Sequence, residues 1–242
     1  MLNNKKNFIE NLNLEENLIK ENEFLHYISK YNYINFLKIF LKKCNNKDLF
    51  INHQNELGKT PLYIACEYEN YDIIKLLLKN NANPNIYEFN EKNTPLLISC
   101  EKNNIKIVKR LLKNKNININ HQNNLNKTAL HISCKYNNRE LIGLLLDYNI
   151  DYKIKDYLNL EAQYHIFIYN NLNLFLEFFY REIELDFFNY KYFFNNLDYE
   201  KHQELIYYIF SNEKLPIDNL TENQKEKINN IFLQYRKKSA KK

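Results

Sequence analysis

The repeat in this chain constrains its fold more than any other feature. The stretches KTPLYIAC (59–66), NTPLLISC (93–100) and KTALHISC (127–134) recur every 34 residues. With Thr60, Thr94 and Thr128 in register, each threonine precedes Pro61, Pro95 or Ala129, then Leu62, Leu96 or Leu130. A second apolar run follows each: IIKLLLKNNANPN (73–85), IVKRLLKNKNININ (107–120) and LIGLLLDYNID (141–151). One such unit cannot bury its own apolar face, but stacked copies can, so the pattern reads as a solenoid.

Each unit reads locally as helix–turn–helix. Threonine is a good N-cap, and proline at the first helical position loses no hydrogen bond. Leu62, Ala65 and Cys66 then fall on one face of a short helix. Glu69–Tyr71 turns the chain, and Ile73, Ile74, Leu77 and Leu78 mark a second amphipathic helix. Asn80 and Asn81 close it. Glycine occurs only twice in the chain, so asparagine is expected to take the left-handed capping role. The register extends upstream to FLHYISKYNYINFLKIFLKK (24–43). Downstream, at a spacing of 33, it reaches Ala162, Tyr164, Tyr169 and Leu174. Terminal repeats are expected to be atypical.

These motifs resemble the ankyrin-repeat family, carried by TPLYIA (60–65), TPLLIS (94–99) and TALHIS (128–133) with the apolar runs behind them. The family's glycines are largely replaced: Gly58 remains before Thr60, while Lys92 and Asn126 stand at the equivalent places. The resemblance implies an all-α solenoid of about five stacked antiparallel helix pairs with hairpin-like fingers between them. The expected organisation is an N-terminal flank (1–21), a repeat domain (22–187) and a C-terminal helical extension with a basic tail (188–242). The implied function is a non-catalytic protein-interaction module, a scaffold or adaptor, with no cofactor.

Cys66, Cys100 and Cys134 share one register position, which Ser29 and Phe167 fill in the outer repeats. Neighbouring helices pack about 8–10 Å apart. A disulfide needs Cα atoms within about 7 Å, and zinc holds its sulfurs at about 2.3 Å. The ladder therefore reads as small buried hydrophobes rather than as ligands or a redox pair. Cys44 lies out of register in a loop and is the thiol expected to be exposed. His131 and Cys134 lie three apart on one helix face, which admits a thiol-enzyme alternative. Against it, the histidine position recurs as His26, Tyr63, Leu97 and Tyr164, so the other cysteines lack that partner. The resemblance implies a structural hydrogen-bonding histidine here. His53 and His121 lie two fingers apart, about 20 Å by the same packing distance, too far to share a metal.

The resemblance also implies a binding surface along the fingers and first helices. Its finger residues are Glu56, Leu57 and Lys59, then Asn90, Glu91 and Asn93, then Asn124, Leu125 and Lys127. The exposed helix ends contribute Glu67 and Tyr68, Glu101 and Lys102, Lys135 and Tyr136. Tyr31, Tyr68, Lys102, Tyr136 and Tyr169 occupy one position across five repeats. Tyrosine is enriched at binding hot spots, so this ladder reads either as a contact surface or as packing between repeats.

Net charge is +5, and the final RKKSAKK carries five basic groups. Without them the two signs balance, which argues against a nucleic-acid-binding body. The tail reads as a frayed end or a nuclear-import signal. No apolar run is long enough to span a membrane, and the N-terminus lacks a secretory pattern, so a monomeric cytoplasmic protein is expected. FFNYKYFFNN (187–196) is expected to cover the last repeat, LDYEKHQELIYYIF (197–210) to form a helix, and T-x-x-Q at 221–224 to cap another. LPIDNL (215–220) resembles the start of an F-box-like helix, as carried by some ankyrin-containing ubiquitin-ligase adaptors. The alternative it offers is ligase recruitment through residues 197–235.

Overall fold

The computed structural model describes residues 23–44, 47–168, 174, 178 and 221–239. The chain divides into two compact units, Met1–Glu177 and Phe178–Lys242. In the first, helices come in pairs: α1 (Phe24–Lys30) with α2 (Ile34–Lys43), α4 (Pro61–Glu67) with α5 (Tyr71–Lys79), and α6 (Pro95–Glu101) with α7 (Ile105–Leu112). Helix α3 (Lys47–Ile51) occupies the longer connection after the first pair. Helix α8 (Ala129–Ser133) continues as a 3-10 turn and pairs with α9 (Arg139–Asp147). The 3-10 turn Ala162–Tyr164 and α10 (His165–Ile168) begin a fifth repeat. First helices pack on first helices, α1 on α4, α4 on α6 and α6 on α8, and second helices stack likewise behind them.

The caps explain where these helices start. Thr60 Oγ1 accepts the Tyr63 N–H at 3.1 Å, and Thr94 Oγ1 accepts the Leu97 N–H at 3.4 Å. Asn104 and Asn138 cap α7 and α9 by accepting from Ile107 and Leu141. Each such cap is worth about 1 kcal/mol. The same asparagines also tie repeats together: Asn138 Nδ2 donates to Asn103 Oδ1 at 2.8 Å and Asn104 Nδ2 to Glu69 Oε1 at 3.2 Å. Asn70 donates to the Ser29 carbonyl at 2.6 Å.

Left-handed residues mark the turns. Asn32, Glu69, Asn103 and Asn137 lie between the paired helices, Asn81 and Asn149 follow the second helices, and Gly58, Lys92, Asn126 and Asn159 bend the fingers. Asparagine tolerates this conformation better than most residues with a Cβ, so a glycine-poor chain can still turn there. The turn between α4 and α5 is tighter than the sequence suggests, because Tyr71 is already the first residue of α5.

The core sits between the helix layers. Leu62, Leu96 and Leu130 are buried, as are Ile73, Ile74 and Leu77 of α5 and their counterparts Ile107, Val108 and Leu111 of α7. Four fingers are each closed by one acidic or amide side chain. Asn55 accepts from the backbone of Leu57 and Lys59, Asn123 from Leu125 and Lys127, and Asp156 from Leu158 and Leu160. In the second finger Phe89 replaces this residue, and the finger is one residue longer. Buried Glu88 does the work from the preceding position. Its carboxylate accepts from the backbone N–H groups of Asn90, Glu91 and Asn93.

The second unit contains α11 (Glu222–Ser239). Its expected capping box is present: Thr221 N–H donates to Gln224 Oε1 at 2.9 Å, and Gln224 N–H to Thr221 Oγ1 at 3.4 Å. Ile228 and Ile231 are buried. The helix runs through Arg236, Lys237 and Lys238 to Ser239. Cations in a last turn complement the helix dipole. The expectations for 187–196, 197–210 and 215–220 lie outside the described residues. Among the described residues no helix is long and apolar enough to cross a membrane.

Candidate functional site

The fingers are stitched to one another through their backbones. Phe89 N–H donates to the Leu57 carbonyl at 2.9 Å, Asn124 N–H to Glu91 at 2.8 Å, and Tyr157 N–H to Leu125 at 3.1 Å. Gln54 and Gln122 each donate both within their own finger and to the next, at Tyr87 and Lys155. The result is a row of fingers facing the first helices. Between the first two repeats this row encloses a groove of about 1130 Å³.

Five sequence-expected residues line that groove: Glu56, Leu57, Lys59, Glu67 and Tyr68. Tyr27, Lys30 and Phe24, which the repeat register did not single out, line it too. Lys59 Nζ bonds Glu67 Oε1 at 2.7 Å and lies 5.4 Å from the Tyr63 ring centroid. Lys30 Nζ lies 5.4 Å from the centroids of both Tyr31 and Tyr68, linking two members of the tyrosine position. Tyr31 and Tyr68 are about half exposed, at 48% and 47%. Tyr31 also packs on Tyr27, with centroids 4.5 Å apart.

The remaining expected residues are spread along the fingers and helix ends. Asn90, Glu91, Lys102, Asn124, Leu125 and Lys135 are exposed, whereas Glu101, Lys127 and Tyr136 are half-buried. Lys135 Nζ sits 5.5 Å from the Tyr136 ring centroid. Asn93 is buried at 2% exposure, beneath the surface that the register assigned to it. Tyr169 lies outside the described residues. Exposed apolar side chains at the finger tips were not legible from the register: Phe89 (56%), Tyr157 (56%) and Leu158 (49%) join Leu57 and Leu125. The aromatic residues flanking each turn were the available signal.

All four cysteines are free thiols. Burial pushes the Cys66 and Cys100 thiols up to about 12, and hydrogen bonds with Ser99 and Ser133 of the following repeats offset this only in part. Cys134 is pushed higher by burial alone. The neutral thiol is not a nucleophile. His131 is committed on both sides: Nδ1 accepts from the Thr128 N–H at 3.2 Å, and Nε2 donates to the Leu160 carbonyl at 3.1 Å. Burial lowers its pKa to about 4, and the nearby His165 acts in the same direction. The pair therefore lies inside the core as packing and cap, with neither group in a reactive state. His53 and His121 serve different neighbours: His53 meets His26 edge to face, and His121 stacks on Tyr87.

A family model described as ankyrin repeats (3 copies) matches residues 2–88 and 84–156. No curated protein matches the chain.

Proposed function

The chain belongs to the ankyrin-repeat family, whose repeats are generally protein-interaction modules, and from that premise we propose that it is a non-catalytic scaffold or adaptor. The binding surface is the line of fingers and first-helix ends, centred on the groove between the first two repeats. The carrying observation is that groove. It gathers Glu56, Leu57, Lys59, Glu67 and Tyr68 into one concave site beside Tyr27 and Lys30. Concave sites with apolar walls and a few placed polar groups are the usual setting for recognition.

Tyr68 is the natural anchor, because it is half exposed, aromatic, and has the Lys30 ammonium over its ring. A photo-crosslinking residue at position 68 should trap a partner in cells, while the same residue at Lys109 on the opposite helix layer should not. Tyr68→Ala combined with Tyr136→Ala should weaken capture of that partner and leave the thermal melt nearly unchanged. Equal trapping from both positions, or a large stability loss with unchanged capture, overturns the reading.

A further inference from the structure

We propose that the second helices of the first three repeats dock on an anionic lipid surface through a grid of lysines. Lys38, Lys75 and Lys109 occupy one register position of α2, α5 and α7, and Lys42, Lys79 and Lys113 stand four residues further on. Residues four apart share a helix face. All of these lysines are exposed, and α2 packs beside α5 and α5 beside α7. Two parallel rows result. Lysines lie about 6 Å apart along each helix, at a rise of about 1.5 Å per residue, and about 8–10 Å apart between helices. The grid ends at α9, where the same two positions are Gly143 and Asp147.

The near-neutral balance of the chain without its tail conceals a separation of the two signs. Asp72 is the one acidic residue on α2, α5 and α7, whereas Lys43, Lys106 and Arg110 add to the positive charge of the grid. Carboxylates collect instead on the fingers and first helices, as Glu56, Glu67, Glu88, Glu91 and Glu101. Among the described residues no grid lysine is in an ion pair, whereas Lys59 on the finger side is held by Glu67. Like charges four apart on a helix repel each other. The grid repeats that unfavourable pairing on three successive helices, and an anionic surface laid across it reverses the sign of the effect.

Exposed aliphatic side chains supply the independent observation and select lipid among the possible anions. Ile39 lies between Lys38 and Lys42 in α2 and is 39% exposed, and Leu49 of α3 is 71% exposed. Helix α3 is tied to the end of α5, next to Lys79, because Lys47 Nζ donates to Asn80 Oδ1 at 3.3 Å. Aliphatic groups beside lysines enter the boundary between headgroups and acyl chains, while the ammonium groups stay among the headgroups. A phosphodiester backbone offers such groups no counterpart, and single-stranded nucleic acid is held on aromatic platforms instead.

The residue type agrees with this. Arginine is the side chain for bidentate recognition of one carboxylate or phosphate, whereas lysine is a flexible point charge. A grid built of lysine alone reads a diffuse field, and the negative potential of an anionic leaflet is such a field, felt within a Debye length of the surface. The contact lies on the membrane without crossing it. It uses the helix layer away from Tyr68, so it stands or falls independently of partner capture at the groove.

The test is flotation of the full chain with phosphatidylcholine vesicles, with and without phosphatidylserine. The chain should float with the anionic vesicles alone, and salt at about 0.5 M should release it. Lys75→Gln, Lys79→Gln and Lys109→Gln combined should weaken vesicle affinity about tenfold or more. Glutamine is nearly as good a helix former as lysine, so these helices stay folded. The control carries the same change in net charge elsewhere: Lys92→Gln, Lys153→Gln and Lys155→Gln should leave vesicle affinity within about twofold of the wild type, because these residues lie off the grid. Leu49→Ser should weaken binding by a smaller factor and leave its salt dependence unchanged. Both triple variants keep the basic tail, so equal binding by the two assigns adhesion to the tail or to net charge and overturns the proposal. Absence of vesicle binding overturns it as well. Grid-dependent binding that duplex DNA or polyglutamate displaces at equal charge concentration assigns the face to a nucleic acid or an acidic protein, and overturns the lipid assignment.

Discussion

His131→Gln should flatten the dependence of stability on pH. In the fold His131 is neutral, with its pKa near 4, against an ordinary value of 6.5. The physical cause is burial, together with a hydrogen-bond pattern that needs one bare nitrogen: Nδ1 accepts from Thr128 while Nε2 donates to Leu160. A histidine whose folded pKa is depressed contributes stability above its unfolded pKa. That contribution is lost as pH falls from about 6.5 towards 4, because only the unfolded chain takes up the proton there. At about 1.4 kcal/mol per pH unit, the full interval corresponds to about 3 kcal/mol. Burial also lowers the pKa of His26 and His165, so both act in the same sense. The substitution isolates His131 because glutamine at this position preserves the local structure. Threonine followed three residues later by glutamine is a capping box, and the protein uses that arrangement at Thr221 and Gln224. The glutamine amide can also still donate toward Leu160. The assay is the urea midpoint of the wild-type and variant chains at pH steps from 7 to about 4, read by far-ultraviolet circular dichroism. The wild type should lose about 3 kcal/mol more than the variant over this range. Parallel pH profiles, or a native His131 resonance titrating near 6.5, would refute the reasoning.

The finger turns and the thiols give further tests. Gly58→Ala should destabilise by about 2–3 kcal/mol, because φ is +75° and a Cβ would lie 2.5 Å from the Phe89 ring and 2.8 Å from its backbone nitrogen. An unchanged urea midpoint would count against the packing of Phe89 over the first finger. Lys92→Gly should stabilise by about 0.5–1 kcal/mol by relieving a left-handed lysine at φ 58°, and a loss of stability would contradict that. A maleimide should label half-buried Cys44 in the native chain and reach Cys66, Cys100 and Cys134 only after unfolding. Equal rates for all four would show that the ladder opens readily.

The helix pairs, their threonine caps and the buried cysteine position were legible in the sequence because each depends on residues within one turn or one repeat of each other. Thr60 meets Tyr63, and Leu62 shares a face with Cys66, wherever the unit is placed. The asparagine-for-glycine exchange was legible for the same reason, since a left-handed turn is a property of a few consecutive residues. The site was legible only as a row of candidates. Register marked Tyr68 and Glu67 as outward-facing, but it could not say that Lys30 reaches both Tyr31 and Tyr68, or that the row closes into a groove at the first two repeats.

It also placed Asn93 on the surface, where the structure buries it as the amide that fixes Glu91 and Glu101. The second finger shows why. There Phe89 stands where its neighbours carry the closing residue and Glu88 takes over that function, yet Asn93 still lies one residue before its threonine, as Lys59 and Lys127 do; what holds it inside is Asn123 Nδ2 of the next finger, a partner that counting within one repeat does not reveal. Gly58 is retained because that same Phe89 lies over it. By itself, then, the sequence determined the repeat, its period and its core, because periodicity and capping are local. Stacking alone decided which residues about 30–35 apart in the chain come together, and it is those meetings that build the surface.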